Sequence, residues 1–410
     1  MYDGMKKAFG PSATKNTPLK FTSGNAITNQ SKQMERWAEQ YQELYSRENV
    51  VTDTTVEHTD PLPVMEELNV PPSVKKLSKA DKKSILLHYL HELLLQCWEE
   101  GTVLQDVCDA NITTLYKNKG DRSHCNNYCG ISLLSIVGKA FPHVVLNRLQ
   151  ALAEHVYPEA QCGFRAGRST VDMNFSLRQL QEKCQEQRRL LYIAFTDLPK
   201  AFDLVSRKGL FALLQRTGCP PKLLKVIMSF HGYMQGVIQY DGSSLDPFPI
   251  RSGVKQGWVL ALTLFSIFFS LLLSFAFNQS EDGVYLHTRS DGNLFNLARL
   301  HAKTILIREM LFADVAALTA HTEEALQRLI SCFTCTCREF GLMISIKKTN
   351  ILGQGVSSIP IISISKYTLE VVENFTYLGS IISSILSLDV DLNTHISKTA
   401  TAMARLAKMV

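Results

Sequence analysis

Two aspartates sit in or just after apolar runs, and carboxylates in such places can hold divalent metal ions. Asp197 follows the run Leu190 to Phe195, and Asp314 lies within Met310 to Leu318. Carboxylates fixed at the ends of adjacent strands can share two ions roughly 4 Å apart, which clamp the attacking and leaving oxygens of an in-line nucleotidyl displacement. Magnesium keeps several waters and takes few protein ligands, so a rigid sheet must set the carboxylate separation. Taken alone the pair is ambiguous, because an acidic residue at a strand end is more often a turn former.

The elements that must position these residues follow from periodicity. Met34, Trp37, Ala38, Tyr41 and Tyr45 recur at helical spacing after Ser31, which reads as an N-cap in an otherwise polar, extended leader over residues 1–75. A helix is predicted from Ser84 to about Glu100, ending at Gly101, then a strand from Ile112 to Tyr116 and a basic turn from Lys117 to Asp121. Helices follow over about 139–155 and 169–186, the second opening at Ser169. Pro142 is tolerable only in the first turn of the former. Next come the buried strand ending in Asp197, a helix from about Lys200 to Arg216, and a strand near Val237 to Tyr240. Met310 to Leu318 has strand composition with Asp314 in its middle. A helix over about 322–340 and strand pieces at Met343 to Ile346 and Phe375 to Leu378 follow. Strands and helices mix without βαβ alternation, so the fold class is α+β.

Composition bounds the function without choosing it. The 410 residues are 45% hydrophobic and 20% charged, as in a globular chain. A net charge of +5 permits a polyanionic partner but does not establish one. Ten cysteines lack framework spacing and the start, Met1 to Gly10, is polar and basic, so a reduced intracellular protein, cytoplasmic or nuclear and not secreted, is expected. Cys332, Cys335 and Cys337 have no second cluster to complete a zinc site and read as helix residues. Val259 to Phe277 carries no charge and is long enough to span a bilayer. Thr263, Ser266, Ser270 and Ser274 interrupt it and no basic flank follows, so a helix buried in a domain is expected and no membrane.

The words around the aspartates narrow the chemistry. Phe195-Thr196-Asp197 with Lys200-Ala201-Phe202-Asp203 resembles the first catalytic motif of non-LTR (LINE-type) retrotransposon reverse transcriptases, FxDxxKAFD. Gly253-Val254-Lys255-Gln256-Gly257 with Thr263-Leu264-Phe265 is similar to their second, and Phe312-Ala313-Asp314-Val315 to their third, usually [YF]ADD. Gly341-Leu342 through Lys347-Lys348-Thr349, and then Phe375 to Gly379, resemble the next two. Tyr116-Lys117 to Gly120-Asp121, Asn127-Tyr128 with Gly130-Ile131-Ser132-Leu133, and Gln161 to Arg165 resemble the fingers segments. These eight words, in the family's order, cover roughly residues 112–380.

The resemblance implies a polymerase right-hand fold with a fingers-like region over 76–188 and a palm over 189–355. Residues 356–410 would be the palm's end and the start of a truncated thumb, so that any thumb is short or absent. It implies RNA-directed DNA synthesis from an RNA template, a DNA primer and dNTPs with two magnesium ions. Asp197 and Asp314 would be the shared metal ligands and Lys348 the proton donor to the leaving pyrophosphate. Phe202 would lie under the sugar of the incoming nucleotide, and Gln256 and Gly257 beside the primer–template. Lys117, Lys119, Arg165 and Arg168 would contact template phosphates. Core packing remains the other role open to Phe202, and a solvated surface remains open to the basic residues.

Departures from the pattern are as informative. Val315 stands where the family places its third catalytic carboxylate. Valine binds no metal but suits a strand, so the fold should survive while the chemistry suffers. Asp203, about a turn and a half into the next segment, is poorly placed to substitute. Cys129 replaces an arginine, Leu262 a proline, and Trp258 fills a position usually small and close to the primer–template. A Pro/Gly-rich fingers segment expected near residue 80 is deleted on this reading, Lys79-Ala80-Asp81-Lys82 running directly into the next helix. A degenerate or partial element copy is therefore expected, with weak or no polymerisation, no endonuclease in the first 75 residues and no autonomous retrotransposition. The alternative function is an inert nucleic-acid-binding remnant.

Overall fold

The computed structural model describes residues 19–72 except 22 and 48, 84–133 except 118 and 119, 137–289 except 241, 242, 255 and 256, and 302–407. Lys119, Gln256 and the site of the expected fingers deletion at Lys79–Lys82 lie outside the described residues. The architecture is α+β. A central five-stranded sheet runs in the order Glu309–Phe312, Val315–Ala320, Leu191–Asp197, Asn350–Gln354, Glu370–Val371. Only its last pairing is parallel. Leu191–Asp197 lies in the middle of the sheet and is buried along its length until Asp197. That explains a continuous apolar run where an edge strand would alternate.

A second sheet pairs Ala110–Tyr116 antiparallel with Tyr128–Leu133 and parallel with Gln235–Tyr240. The helix Val259–Phe277 packs against the helices Val137–Val156 and Glu323–Glu339. Among the described residues it is the single helix long and apolar enough to cross a membrane, and 72% of its apolar window is buried inside the protein. Leu260, Leu264, Phe265, Phe268 and Leu272 are fully enclosed on it. Each such side chain contributes about 2 kcal/mol through burial, which is why so uniform a sequence can form the spine of a folded domain.

Several expectations are corrected. Asn29, not Ser31, caps the helix Gln30–Tyr45, its side chain accepting from the Ser31 N–H. Pro142 lies beyond the first turn of Val137–Val156. The helix expected over 200–216 breaks into Ala201–Leu204 and Arg207–Arg216, with Ser206 capping the second through the Gly209 N–H. Met310 to Leu318 is two strands with Asp314 in the loop between them, not one strand. Met343 to Ile346 is not a strand. A short 3-10 turn, Ile346–Lys348, leads into the strand Asn350–Gln354. The helix Asp389–Ala407 was not anticipated, and it joins the fold at its first turn through Asp391, whose carboxylate accepts from the Ile381 N–H and pairs with Arg178.

Candidate active site

The two aspartates converge because their strands are neighbours. Val315–Ala320 pairs antiparallel with Leu191–Asp197 in a register that sets Val315 directly opposite Asp197. Phe312 pairs with Val315, leaving Ala313 and Asp314 as a two-residue loop. Tight hairpins need a positive φ at such a position, and Ala313 adopts φ 57 without being glycine. That strain, of order 1 kcal/mol, is held in place by a neighbour. The Cys162 N–H donates to Leu311 O (3.0 Å) and the Leu311 N–H to Ala160 O (3.0 Å). A Cβ on Gly163 would come within 2.2 Å of the Ala313 nitrogen. Glycine at 163 is thus the condition for seating the fingers-like word against the Asp314 loop.

Asp197 faces Lys348, whose Nζ donates to Oδ2 at 2.8 Å, and the Ser345 N–H donates to the Asp197 carbonyl at 3.0 Å. Burial pushes the Asp314 carboxyl above its ordinary value, and the charge of Asp197 adds to the rise while Lys348 opposes it. The three groups therefore share one electrostatic neighbourhood. A cleft of about 410 Å³ opens beside Asp197 and Lys348, lined also by Val315, Lys347 and Phe375. Phe375 stacks on Phe195 (4.1 Å, 9°), which holds the hairpin Asn374–Tyr377 and Ser380–Ser383 at the cleft wall. Among the described residues no three His, Cys, Asp or Glu side chains gather into a metal site. Asp197 and Asp314 are the carboxylates here that could hold a divalent ion, and the residue directly opposite Asp197, Val315, offers only hydrocarbon.

The other candidates separate into groups. Phe202 is half-buried and packs on Phe265 (4.6 Å) from the long helix, so one side of its ring serves the core. Gly257, at φ 93, makes its close approach to Ile131 and Ser132 of the second sheet. Trp258 is turned into the core against Phe230 and His231. Lys117 is exposed, and its Nζ donates to Asn126 O (3.3 Å). Arg165 is held by Glu154 (3.0 Å) and lies 3.8 Å from Glu159, while Arg168 is hydrogen-bonded to Glu159. Nucleic-acid phosphates would have to displace these carboxylates.

Sequence reading missed Arg207. Its buried guanidinium donates to the carbonyls of His231, Ile250, Ser252 and Gly253 (2.8–3.2 Å), fixing the segment before Val254. Burial lowers it to about 10. No spacing signal marks it, since its oxygen partners are all backbone carbonyls and its one side-chain contact is the Met234 sulfur (4.0 Å). Tyr45, read only as a helix-face residue, donates its hydroxyl to Asp203 Oδ1 at 3.3 Å.

Residues 116–382 match the family described as reverse transcriptase (RNA-dependent DNA polymerase). Over 163 residues the chain is 31% identical to the RNA-directed DNA polymerase from the mobile element jockey of Drosophila melanogaster, covering 39% of this chain and 18% of that protein. It is 27% identical over 254 residues to the uncharacterized 149 kDa protein of transposon TX1 from Xenopus laevis, covering 55% and 19%. The chain thus spans about a fifth of the length of these curated relatives. A solved telomerase from Candida tropicalis is similar at 13% identity with a TM-score of 0.46, over 70% of this chain and 55% of that one.

Proposed function

Because the chain belongs to the reverse transcriptase (RNA-dependent DNA polymerase) family, its relatives coming from non-LTR retrotransposons, we propose that the Asp197 cleft is a site of RNA-directed DNA synthesis weakened by the loss of one metal-binding carboxylate. The observation that carries this reading is the register of Val315 with Asp197. Directly opposed residues on antiparallel strands have Cβ atoms about 5 Å apart, close enough for two carboxylates to share an ion. Here one of the pair is a valine.

Asp197 and Asp314 would hold magnesium, which supplies Lewis-acid activation of the primer hydroxyl and neutralises the leaving pyrophosphate when bound. Lys348 is half exposed, and an ion pair of that kind is worth about 0.2–1 kcal/mol. Its ammonium is therefore weakly held on Asp197 and, with an ion bound there, would be free to donate a proton to pyrophosphate. The missing carboxylate costs more. Misplacing reacting groups by about an ångström slows chemistry roughly a hundredfold. Phe202 would present its free edge to the nucleotide sugar, and Lys117, with Arg165 and Arg168 once released from their glutamates, would meet template phosphates.

The test is primer extension on poly(rA)/oligo(dT) with magnesium, comparing the chain with Val315→Asp and with Val315→Asp carrying Asp197→Asn. Strong extension by Val315→Asp alone supports the reading. Vigorous extension by the unaltered chain removes the claim of impairment. Salt-sensitive binding of the duplex without incorporation by any version favours an inert nucleic-acid-binding remnant.

A further inference from the structure

We infer that the helix Gln30–Tyr45, which precedes the family-matched region, is a working part of the substrate corner, and that Asp203 is the positioning residue through which it acts. The inference rests on the polymerase reading for what the corner receives, and on contacts for the corner itself.

Those contacts converge from three stretches of sequence. The Tyr45 hydroxyl donates to the buried Asp203 carboxylate. The Tyr45 carbonyl accepts from the N–H groups of Arg251 (3.0 Å) and Ser252 (3.2 Å). The Ser252 hydroxyl lies 3.3 Å from both the Tyr45 and the Asp203 carbonyl oxygens. Asn49 Nδ2 donates to Leu204 O at 2.6 Å. On the far side the Gly253 N–H donates to Val205 O (2.9 Å) and the Val254 N–H to Phe202 O (2.8 Å). Gly253, at φ 76, has no room for a side chain, because a Cβ would meet the Asp203 backbone at 2.6 Å.

Phe202 and Gly253–Val254 are thus fixed against each other, and the end of the helix is what they are fixed to. A buried carboxylate is costly unless it is paired and hydrogen-bonded, so its retention here needs the hydroxyl above it. Tyr41 and Tyr45 face it from the helix, Lys200 from the adjoining turn, Lys117 from the second sheet and Arg207 from beyond Tyr45. Replacing the hydroxyl by hydrogen should release the corner while leaving the sheet intact.

The experiment is hydrogen exchange on the full chain, comparing Tyr45→Phe, Asp203→Ala and Asp203→Asn. Exchange at 200–206 and 250–254 should rise at least tenfold in the first two. It should change less than threefold in Asp203→Asn, whose amide oxygen still accepts from Tyr45. Strands 191–197 and 315–320 should stay protected throughout. Unchanged exchange at both corner segments in Tyr45→Phe overturns the inference. Equal loss at the strands overturns it too, because Tyr45 would then support the core at large. In parallel, dTTP binding to the chain on an annealed primer–template should weaken at least fivefold in Tyr45→Phe, and an unchanged affinity would reduce the corner to scaffolding. If the unaltered chain binds no dTTP, the polymerase reading fails while the exchange result still decides whether the helix holds the corner.

Discussion

Asp197 and Asp203 lie six positions apart in one stretch of sequence, yet they occupy opposite kinds of surroundings. Asp197 ends a strand beside a cleft, meets a half-exposed lysine, and faces a valine across the sheet. Asp203 is buried, hydrogen-bonded to Tyr45, and backed by the tight Gly253 turn. The first corner can lose an acid without disturbing the packing, since valine suits a strand better than aspartate does. The second cannot lose its hydrogen-bond acceptor in the same way, because that oxygen is bonded to Tyr45 in the interior. On the proposed reading, chemistry and architecture are thus separately vulnerable within a few residues.

The largest expected effect sharpens that contrast. Val315→Asp should raise primer extension about a hundredfold, read as initial rate with magnesium. The same variant should be less stable than the parent by about 1 kcal/mol in EDTA, since like charges directly opposed repel, and should recover stability on adding magnesium. A thermal midpoint indifferent to magnesium would show that the restored acid holds no ion.

Gly163→Ala should destabilise the chain by about 3 kcal/mol in urea unfolding, because its methyl group would overlap the Ala313 backbone. Retention of full stability would mean that the fingers-like word is not tied to the Asp314 loop.

Asp203 allows a comparison by pH. Burial raises its carboxyl to about 6, opposed by the Tyr45 hydrogen bond and the lysines. The folded state therefore binds this proton more tightly than the unfolded chain, whose carboxyl titrates near the ordinary value. Its contribution is complete below about pH 4 and is lost as pH rises through about 6, by roughly 3 kcal/mol. Stability measured from pH 4 to 7 should fall more for the parent than for Asp203→Asn. Parallel curves would remove Asp203 as the group responsible. The smallest effect belongs to the surface. Arg165→Ala should cost about 0.5–1 kcal/mol, as its partners are partly exposed glutamates.

Much of this was legible in the residues, for physical reasons. The strand ending in Asp197 announces itself because a central strand is apolar on both faces. The helix Thr170–Glu186 is marked by its Ser169–Asp172 capping box. The Asp314 loop was hidden because Ala313 takes a conformation that sequence assigns to glycine. The ionic partners of Arg165 and Arg168 were hidden as well, since only the folded chain brings Glu154 and Glu159 to them. Helix Asp389–Ala407 escaped notice because its apolar residues Leu392, Ile396, Met403 and Leu406 are diluted by threonine, serine and alanine, and remain exposed.

The seating of Gly163 on the Ala313 loop also has a mechanical consequence. Two backbone hydrogen bonds and a contact too close for a methyl group join residues 160–163 to the hairpin that carries Asp314. This joint transmits displacement without bending. A displacement of residues 160–163 therefore arrives at the Asp314 loop as a push.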